Sequence, residues 1–260
     1  MIDEHVNEAA ATAVTPVENT SLPDTQIRVT DLPSVGRAYP QGTEIHYKPY
    51  TFGEVKSFSQ SKGKMSAAKS VERVLSGINV VGMDKNDLTF FDFLYISLLR
   101  RLSTMNAIEF KLGVGCPSCG SPVSHTFSWE GLVFEDLPAP KLPIIVDICD
   151  KADVRFTPLT VAQYQVLTRN KQDEDPVAIA AMQSSLDFND AYKTFSDAIG
   201  DDAALLDEID KLLYHDLKPA QVTCATCNHN FNAALDDEAS LISPFRKSES
   251  TTRNRIRFGD

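Results

Sequence analysis

The chain has 260 residues, 42% hydrophobic and 23% charged, with a formal net charge of −11. That length and balance suit one large soluble globular domain or two small ones with a real core. They exclude a general affinity for nucleic acid or an anionic membrane surface, both of which call for excess positive charge. No apolar stretch approaches the ~20 residues that span a bilayer, and Met1-Ile-Asp-Glu-His lacks the basic and apolar segments of a signal peptide.

Residues 1–26 carry Asp3, Glu4, Glu8, Glu18 and Asp24 without Lys or Arg and without an apolar period, so they read as a disordered acidic tail. Order is expected from Ile27. Leu32-Pro-Ser-Val-Gly36-Arg-Ala-Tyr39-Pro40 is turn-rich, and Ile45-His-Tyr47-Lys alternates like a strand that Pro49 stops. Thr51-Phe-Gly-Glu54 is a capping box, which predicts a helix over 52–59, and a second helix is expected over 66–75. Residues 77–87 read as a loop. Thr89-Phe-Phe-Asp92 caps the strongest helix, with Leu88, Phe91, Tyr95, Leu98 and Leu102 in one stripe, widened by Leu94 and Leu99. Arg100 and Arg101 stand near its C-terminal end, where the helix dipole favours cations.

Ile108-Glu-Phe110-Lys-Leu112 and Val123-Ser-His125-Thr-Phe127-Ser-Trp129 read as strands on either side of Cys116-Pro-Ser-Cys119-Gly120. After the Leu137-Pro-Ala-Pro140 linker, strand-like sequence leads from Ile144 to Phe156 and then to Pro158 and Thr160-Val-Ala-Gln163. Helices are expected over 177–186, 190–199 and 203–217, the last with Leu206, Ile209, Leu213 and Leu217 on its apolar face. Cys224-Ala-Thr-Cys227-Asn-His229 and the β segment Phe231-Asn-Ala-Ala-Leu235 follow.

Two C-x-x-C knuckles supply the four thiolates of a tetrahedral zinc site: Cys116, Cys119, Cys224 and Cys227. Gly120 and Asn228 tolerate the left-handed backbone that follows such a turn. With five cysteines in all, this pattern points to a reducing compartment and a structural Zn2+ rather than a disulfide scaffold. The alternative is a pair of redox motifs. A thioredoxin-type C-x-x-C follows a strand and opens a helix, whereas each pair here precedes turn and β-type sequence. His229 could substitute as a ligand, although a solvated loop histidine is the simpler reading. Cys149 reads as a buried small hydrophobe. Asp201 and Asp202 read as a solvated helix start. His5, His46, His125 and His215 form no constellation with a nucleophile. No phosphate-binding glycine motif and no nucleophile elbow occurs, so an enzyme is not expected.

The segment around Pro158 repeats that around Pro49. Both run apolar-x-aromatic-x-Pro-x-Thr-x-x-Glu/Gln, and their separation differs by one residue from that between Cys116 and Cys224. The expected fold class is therefore α+β, with two related helix-rich halves from a tandem duplication. The expected organisation is an acidic tail over 1–26, repeats over 27–138 and 139–242 with one knuckle each, and a basic tail over 243–260. A shared zinc would then clasp the two halves. Structural zinc stabilises small peptides by ~10–16 kcal/mol, and a chain with its own core gains less. The basic tail, with Arg253, Arg255, Arg257 and Phe258, has three readings, a nucleic-acid contact, a solubilising end or an arm that docks on an acidic partner, and the negative charge of the chain favours the last.

Leu32-Pro-Ser-Val-Gly36-x-x-Tyr39-Pro40, Pro49-Tyr-Thr-Phe-Gly-Glu54, Asp92-x-x-Tyr95-x-x-x-x-Arg100 and the first knuckle together resemble the baseplate hub proteins of T4-type contractile-tailed bacteriophages. The resemblance is best over 32–120. It implies a non-enzymatic tail protein that contacts other baseplate or hub subunits, in the virion or in the host cytoplasm during assembly. It implies no membrane and no small-molecule substrate, and it supplies no catalytic residues. A zinc-ribbon nucleic-acid-binding protein and a thiol oxidoreductase are the competing functions.

Overall fold

Strand β1 (Thr25–Ile27) opens the computed structural model, which describes residues 24–61, 66–105, 109–128, 140–148, 151–173, 175–199, 203–214 and 218–233. Thr25 and Gln26, assigned to the acidic tail from composition, lie in this strand; residues 1–23 fall outside the described chain. β1 runs antiparallel to β2 (Glu44–Tyr47), with Ile27 opposite Ile45 and Thr25 opposite Tyr47. Alternation buries Ile45 and Tyr47 and leaves Glu44 in solvent.

The expected capping box starts α1 (Phe52–Ser61): Thr51 N–H donates to Glu54 Oε2 at 2.6 Å, and Glu54 N–H donates to Thr51 Oγ1 at 3.3 Å. Ser66 caps α2 (Ala67–Ser76) by accepting the Lys69 N–H. Part of the expected 77–87 loop is instead strand β3 (Ile78–Val81), which completes a three-stranded sheet in the order β1-β2-β3. Ile78-Asn-Val-Val81 is too short to reveal a period, and its partner β2 lies two helices back in the chain.

Helix α3 (Phe90–Met105) starts at Thr89, whose hydroxyl accepts the Asp92 N–H at 3.3 Å. Its burial is broader than the expected stripe. Phe90, Phe93, Leu94, Ile96, Leu98, Leu99 and Leu102 are buried, while Phe91 and Tyr95 are half-buried. A helix apolar nearly all round belongs inside a fold, and α3 is the central one here. Arg100 also differs from expectation, being buried at 1% exposure rather than answering the helix dipole. Its guanidinium donates to the carbonyls of Lys48 and Val74, both at 2.6 Å, lies 4.0 Å from the Tyr50 ring centroid and pairs with Glu54 at 3.4 Å. Gly77 makes room for it, since a Cβ there would stand 1.9 Å from an Arg100 nitrogen.

After α3, β4 (Glu109–Gly115) and β5 (Pro122–Ser128) form an antiparallel ribbon with the first knuckle at its turn. The second half opens with the antiparallel pair β6 (Ile144–Ile148) and β7 (Lys151–Phe156). The complete Thr160/Gln163 capping box starts α4 (Val161–Asn170). Helices α5 (Pro176–Gln183), α6 (Phe188–Ile199) and α7 (Ala203–Leu213) follow. Helix α5 ends three residues before the expected boundary because Ser184 leaves it to bridge Phe156. In α7, Leu206, Ile209 and Leu213 are buried as expected, while Leu217 lies outside the described residues. Strands β8 (Ala220–Thr223) and β9 (Asn230–Ala233) form a second ribbon around the second knuckle.

The largest hydrophobic cluster joins both halves. It holds β2, α2 and α3 side chains together with Leu159, Val161, Tyr164, Leu167 and Ala178. Phe90 stacks on Tyr164 with ring centroids 3.7 Å apart. A second cluster fills the space between β6–β7 and α6–α7 around Phe156 and Phe195. A third packs Leu98 and Leu102 of α3 against Val222 and Ala233, with Val114, Val123, Ala220 and Phe231 partly buried beside them. One face of each ribbon is thereby seated on the central helix. The fold is mixed helix and short antiparallel sheets, as an α+β reading requires.

Candidate metal centre

Each knuckle is the turn of its ribbon, and the two turns are built alike. Cys116 N–H donates to the Ser121 carbonyl and Cys224 N–H to the His229 carbonyl, both at 2.9 Å. Gly120 N–H donates to the Cys116 carbonyl at 2.9 Å and Asn228 N–H to the Cys224 carbonyl at 2.8 Å. These bonds close the turn only if the residue after the second cysteine adopts the left-handed conformation, and Gly120 (φ 71°) and Asn228 (φ 56°) both do. The Gly/Asn choice expected from sequence is thus a backbone requirement met twice.

The turns face each other. Cys116 Sγ lies 3.6 Å from Cys227 Sγ, Cys119 Sγ lies 3.7 Å from Cys224 Sγ, and all four sulfurs fall within 4.8 Å of one another. A regular tetrahedron of thiolates around zinc, with metal–sulfur bonds of ~2.3 Å, has edges of about 3.8 Å. A disulfide would need ~2.05 Å, and the four cysteines are free. The set fits a tetrahedral metal ion. Cys116 and Cys224 are buried, whereas Cys119 and Cys227 are exposed.

Local electrostatics act unequally on the thiols. The Ser121 side chain and then its backbone N–H hold Cys119 down to about 6. The backbone N–H of Cys227 lowers Cys224. At Cys227 the His229 backbone hydrogen bond favours the thiolate, but desolvation and the neighbouring thiols outweigh it and push the group up to about 12. Four thiolates at these separations repel one another, and a divalent cation at their centre removes that conflict.

Neither C-x-x-C opens a helix, as a redox motif of the thioredoxin type would; each lies between antiparallel strands. Among the described residues the metal-ligand cluster consists of the four cysteines, and His229 is exposed with its ring parallel to Phe231 at 6.3 Å. His46 lies on β2 beside Glu44, and His125 lies on β5. Cys149, His5, His215, Asp201, Asp202 and the basic tail with Arg253, Arg255, Arg257 and Phe258 lie outside the described residues.

A second junction between the halves joins residues far apart in the chain, which no local pattern encodes. It is built from the Leu32–Pro40 segment. Asp92 is fully buried and accepts the Ser34 N–H at 2.8 Å, the Ser34 hydroxyl at 2.6 Å and the Tyr39 hydroxyl. Burial raises the Asp92 carboxyl above its usual range, with the Ser34 and Tyr39 hydrogen bonds opposing the rise. Burial, then the charge of Asp92, lifts Tyr39 well above the usual tyrosine value. Val35 (φ 54°) and Gly36 (φ 72°) form the tight turn that brings Ser34 and Tyr39 to one carboxylate.

Arg37 leaves the same turn for the second half. It donates to the carbonyls of Pro140 at 2.9 Å, Leu212 at 3.2 Å and Leu213 at 3.1 Å. Its guanidinium therefore satisfies the C-terminal carbonyls of α7. Alongside it, Phe90 N–H donates to the Leu159 carbonyl at 2.7 Å and Val161 N–H to the Leu88 carbonyl at 2.9 Å. The buried Tyr214 hydroxyl accepts the Leu159 N–H at 2.5 Å and a Gln183 amide N–H at 3.1 Å.

Comparison of the chain with protein-family profiles, curated proteins and solved structures finds no match. Among the described residues no helix is long and apolar enough to cross a membrane.

Proposed function

We propose that this chain is a non-catalytic scaffold in which one structural zinc ion clasps two related halves, and that it serves as a structural or assembly component of a contractile phage tail baseplate hub. The observation that carries the scaffold reading is the meeting of four thiols from two like-built ribbon turns, at the spacing of a tetrahedral zinc–thiolate site. Four cysteines close the coordination sphere and leave no open position for substrate, which fits a structural metal better than a catalytic one.

Several correspondences support the duplication. Lys48 N–H donates to the Gly77 carbonyl, and its counterpart Thr157 N–H donates to the Gln183 carbonyl, both at 3.0 Å. Strand pairs β1–β2 and β6–β7 each lead through a Pro and a capping box into a helix. Each half then ends in a ribbon with a knuckle.

The hub assignment rests on the motif resemblance. Those motif residues are buried or bonded in ways that suit a binding scaffold: Ser34, Tyr39, Asp92, Glu54 and Arg100 all hold elements together. Co-expression with the products of its neighbouring genes tests the assignment. A stable complex with a tail hub subunit, purified with zinc bound, is expected. Failure of every such product to associate would sink the assignment.

A further inference from the structure

We propose that the four-thiol centre is a redox-sensitive clasp, in which a peroxide drives out the metal and leaves the halves joined by two disulfides, Cys116–Cys227 and Cys119–Cys224. The proposal rests on the clasp reading and adds its regulation. Exposure and contact are distributed over the centre in a pattern that serves this chemistry. Each knuckle carries one exposed thiol, Cys119 in the first and Cys227 in the second, and one buried thiol, Cys116 or Cys224. Each exposed sulfur lies against the buried sulfur of the opposite half, Cys227 against Cys116 at 3.6 Å and Cys119 against Cys224 at 3.7 Å. Each pair therefore combines a thiol that a small oxidant can reach with a sheltered thiol that can resolve the oxidised sulfur.

The oxidant is a two-electron one, and hydrogen peroxide serves as the probe. The Cys119 thiolate attacks a peroxide oxygen; the S–O bond forms, the O–O bond breaks, and hydroxide leaves and is protonated to water. The sulfur has lost the two electrons that the peroxide gains. The Cys224 thiolate then attacks the Cys119 sulfenic sulfur; the S–S bond forms, the S–O bond breaks, and hydroxide again leaves as water. Cys227 and Cys116 repeat the sequence with a second peroxide. Four thiolates, two peroxides and four protons thus become two disulfides and four waters. Thiolates are the ligands of the ion, so none remains to hold it.

Packing outside the centre favours pairing between the halves. Val114 and Val123 of the first ribbon and Val222 and Ala233 of the second are seated together on Leu98 and Leu102 of α3. That cluster holds the two turns opposed without help from an ion, so the facing sulfurs stay within reach when the metal leaves. The partners in each pair are 111 and 105 residues apart in the chain. Links that close such long loops constrain the unfolded chain more than a link inside one knuckle. In a reducing compartment the thiols hold the ion, and in an oxidising one the disulfides replace it, with the halves tied in both states.

Peroxide titration of the full zinc-loaded chain tests this, with freed zinc followed by a chromogenic chelator and disulfides mapped by mass spectrometry of unreduced peptides. One zinc per chain should be freed as the peroxide is consumed. The peptide holding Cys116 should be linked to that holding Cys227, and the peptide holding Cys119 to that holding Cys224. Dithiothreitol with added zinc should restore the metal. Cys116→Ser and Cys224→Ser each remove one sheltered thiol, and dimedone then reports the stranded sulfenic acid. It should label Cys227 in the first variant and Cys119 in the second, roughly tenfold more strongly than in the wild type. Peptide mapping of the wild type decides the pairing even if a variant folds poorly. Disulfides within each knuckle or between chains, the reverse labelling, or zinc retained under peroxide would overturn the switch and leave the clasp standing. A chain purified without metal would overturn the clasp and the switch with it.

Discussion

The halves of this molecule meet at two places built by different chemistry. At one end, four thiols converge from two ribbon turns. Elsewhere, the Leu32–Pro40 turn, anchored within the first half by Ser34 and Tyr39 on Asp92 of α3, sends Arg37 across to the last carbonyls of α7, backed by Phe90 stacked on Tyr164. The first junction gathers four thiols that could hold a metal ion and exposes two of them; the second is largely buried. A metal can therefore tie the ribbons without being required to form the core, and the two junctions should fail separately.

Removal of the metal should have the largest effect. A strong chelator, or the double substitution Cys116→Ser with Cys227→Ser, should lower the unfolding temperature more than any single change below, though by less than the ~10–16 kcal/mol seen for zinc-dependent peptides. Hydrogen exchange should rise first in β4–β5 and β8–β9, while α3 and α4 stay protected. Uniform loss of protection would show that the junctions are one cooperative unit.

Asp92→Ala comes next. It leaves the Ser34 N–H, the Ser34 hydroxyl and the Tyr39 hydroxyl without their buried acceptor and should cost about 3 kcal/mol in denaturant unfolding, with metal content unchanged. The same residue has a pH signature. Its folded carboxyl titrates above the unfolded value, so the folded state holds the proton longer, and its contribution to stability falls as pH rises through that window. Asp92→Asn should lack this slope relative to wild type. Equal slopes in the two proteins would remove Asp92 from the account.

Gly77→Ala should cost about 2 kcal/mol by forcing Arg100 off its carbonyl partners. Arg37→Ala should cost about 1 kcal/mol and shorten the protection of the last turn of α7, since its donors are partly exposed. If Arg37→Ala instead released the metal, the two junctions would be coupled and the contrast between them wrong.

The same contrast explains what could be read from sequence. Cysteines announce a site by spacing alone, and the left-handed residue after each pair is chemically restricted to Gly or Asn in practice, so the four candidate ligands are legible in the sequence. Capping boxes at Thr51 and Thr160 are equally local, and both helices start where they predict. Locally, Asp92 reads as the end of a capping motif because Thr89 accepts its N–H; its side chain answers residues far away in the chain, which no local pattern encodes. Arg100 and Arg101 read locally as helix-end cations, whereas the partners of Arg100 at Lys48 and Val74 are distant in sequence. β3 has no local signal because a short strand is defined by its partner, and β2 is separated from it by two helices.

Metal stoichiometry measured by native mass spectrometry, on the wild type and on variants of one knuckle at a time, tests the central claim most directly. One zinc per chain is predicted, lost whether the pair Cys116/Cys119 or the pair Cys224/Cys227 is replaced by serine. Two metals per chain, or one knuckle keeping its metal when the other is destroyed, would contradict a single ion clasping both halves.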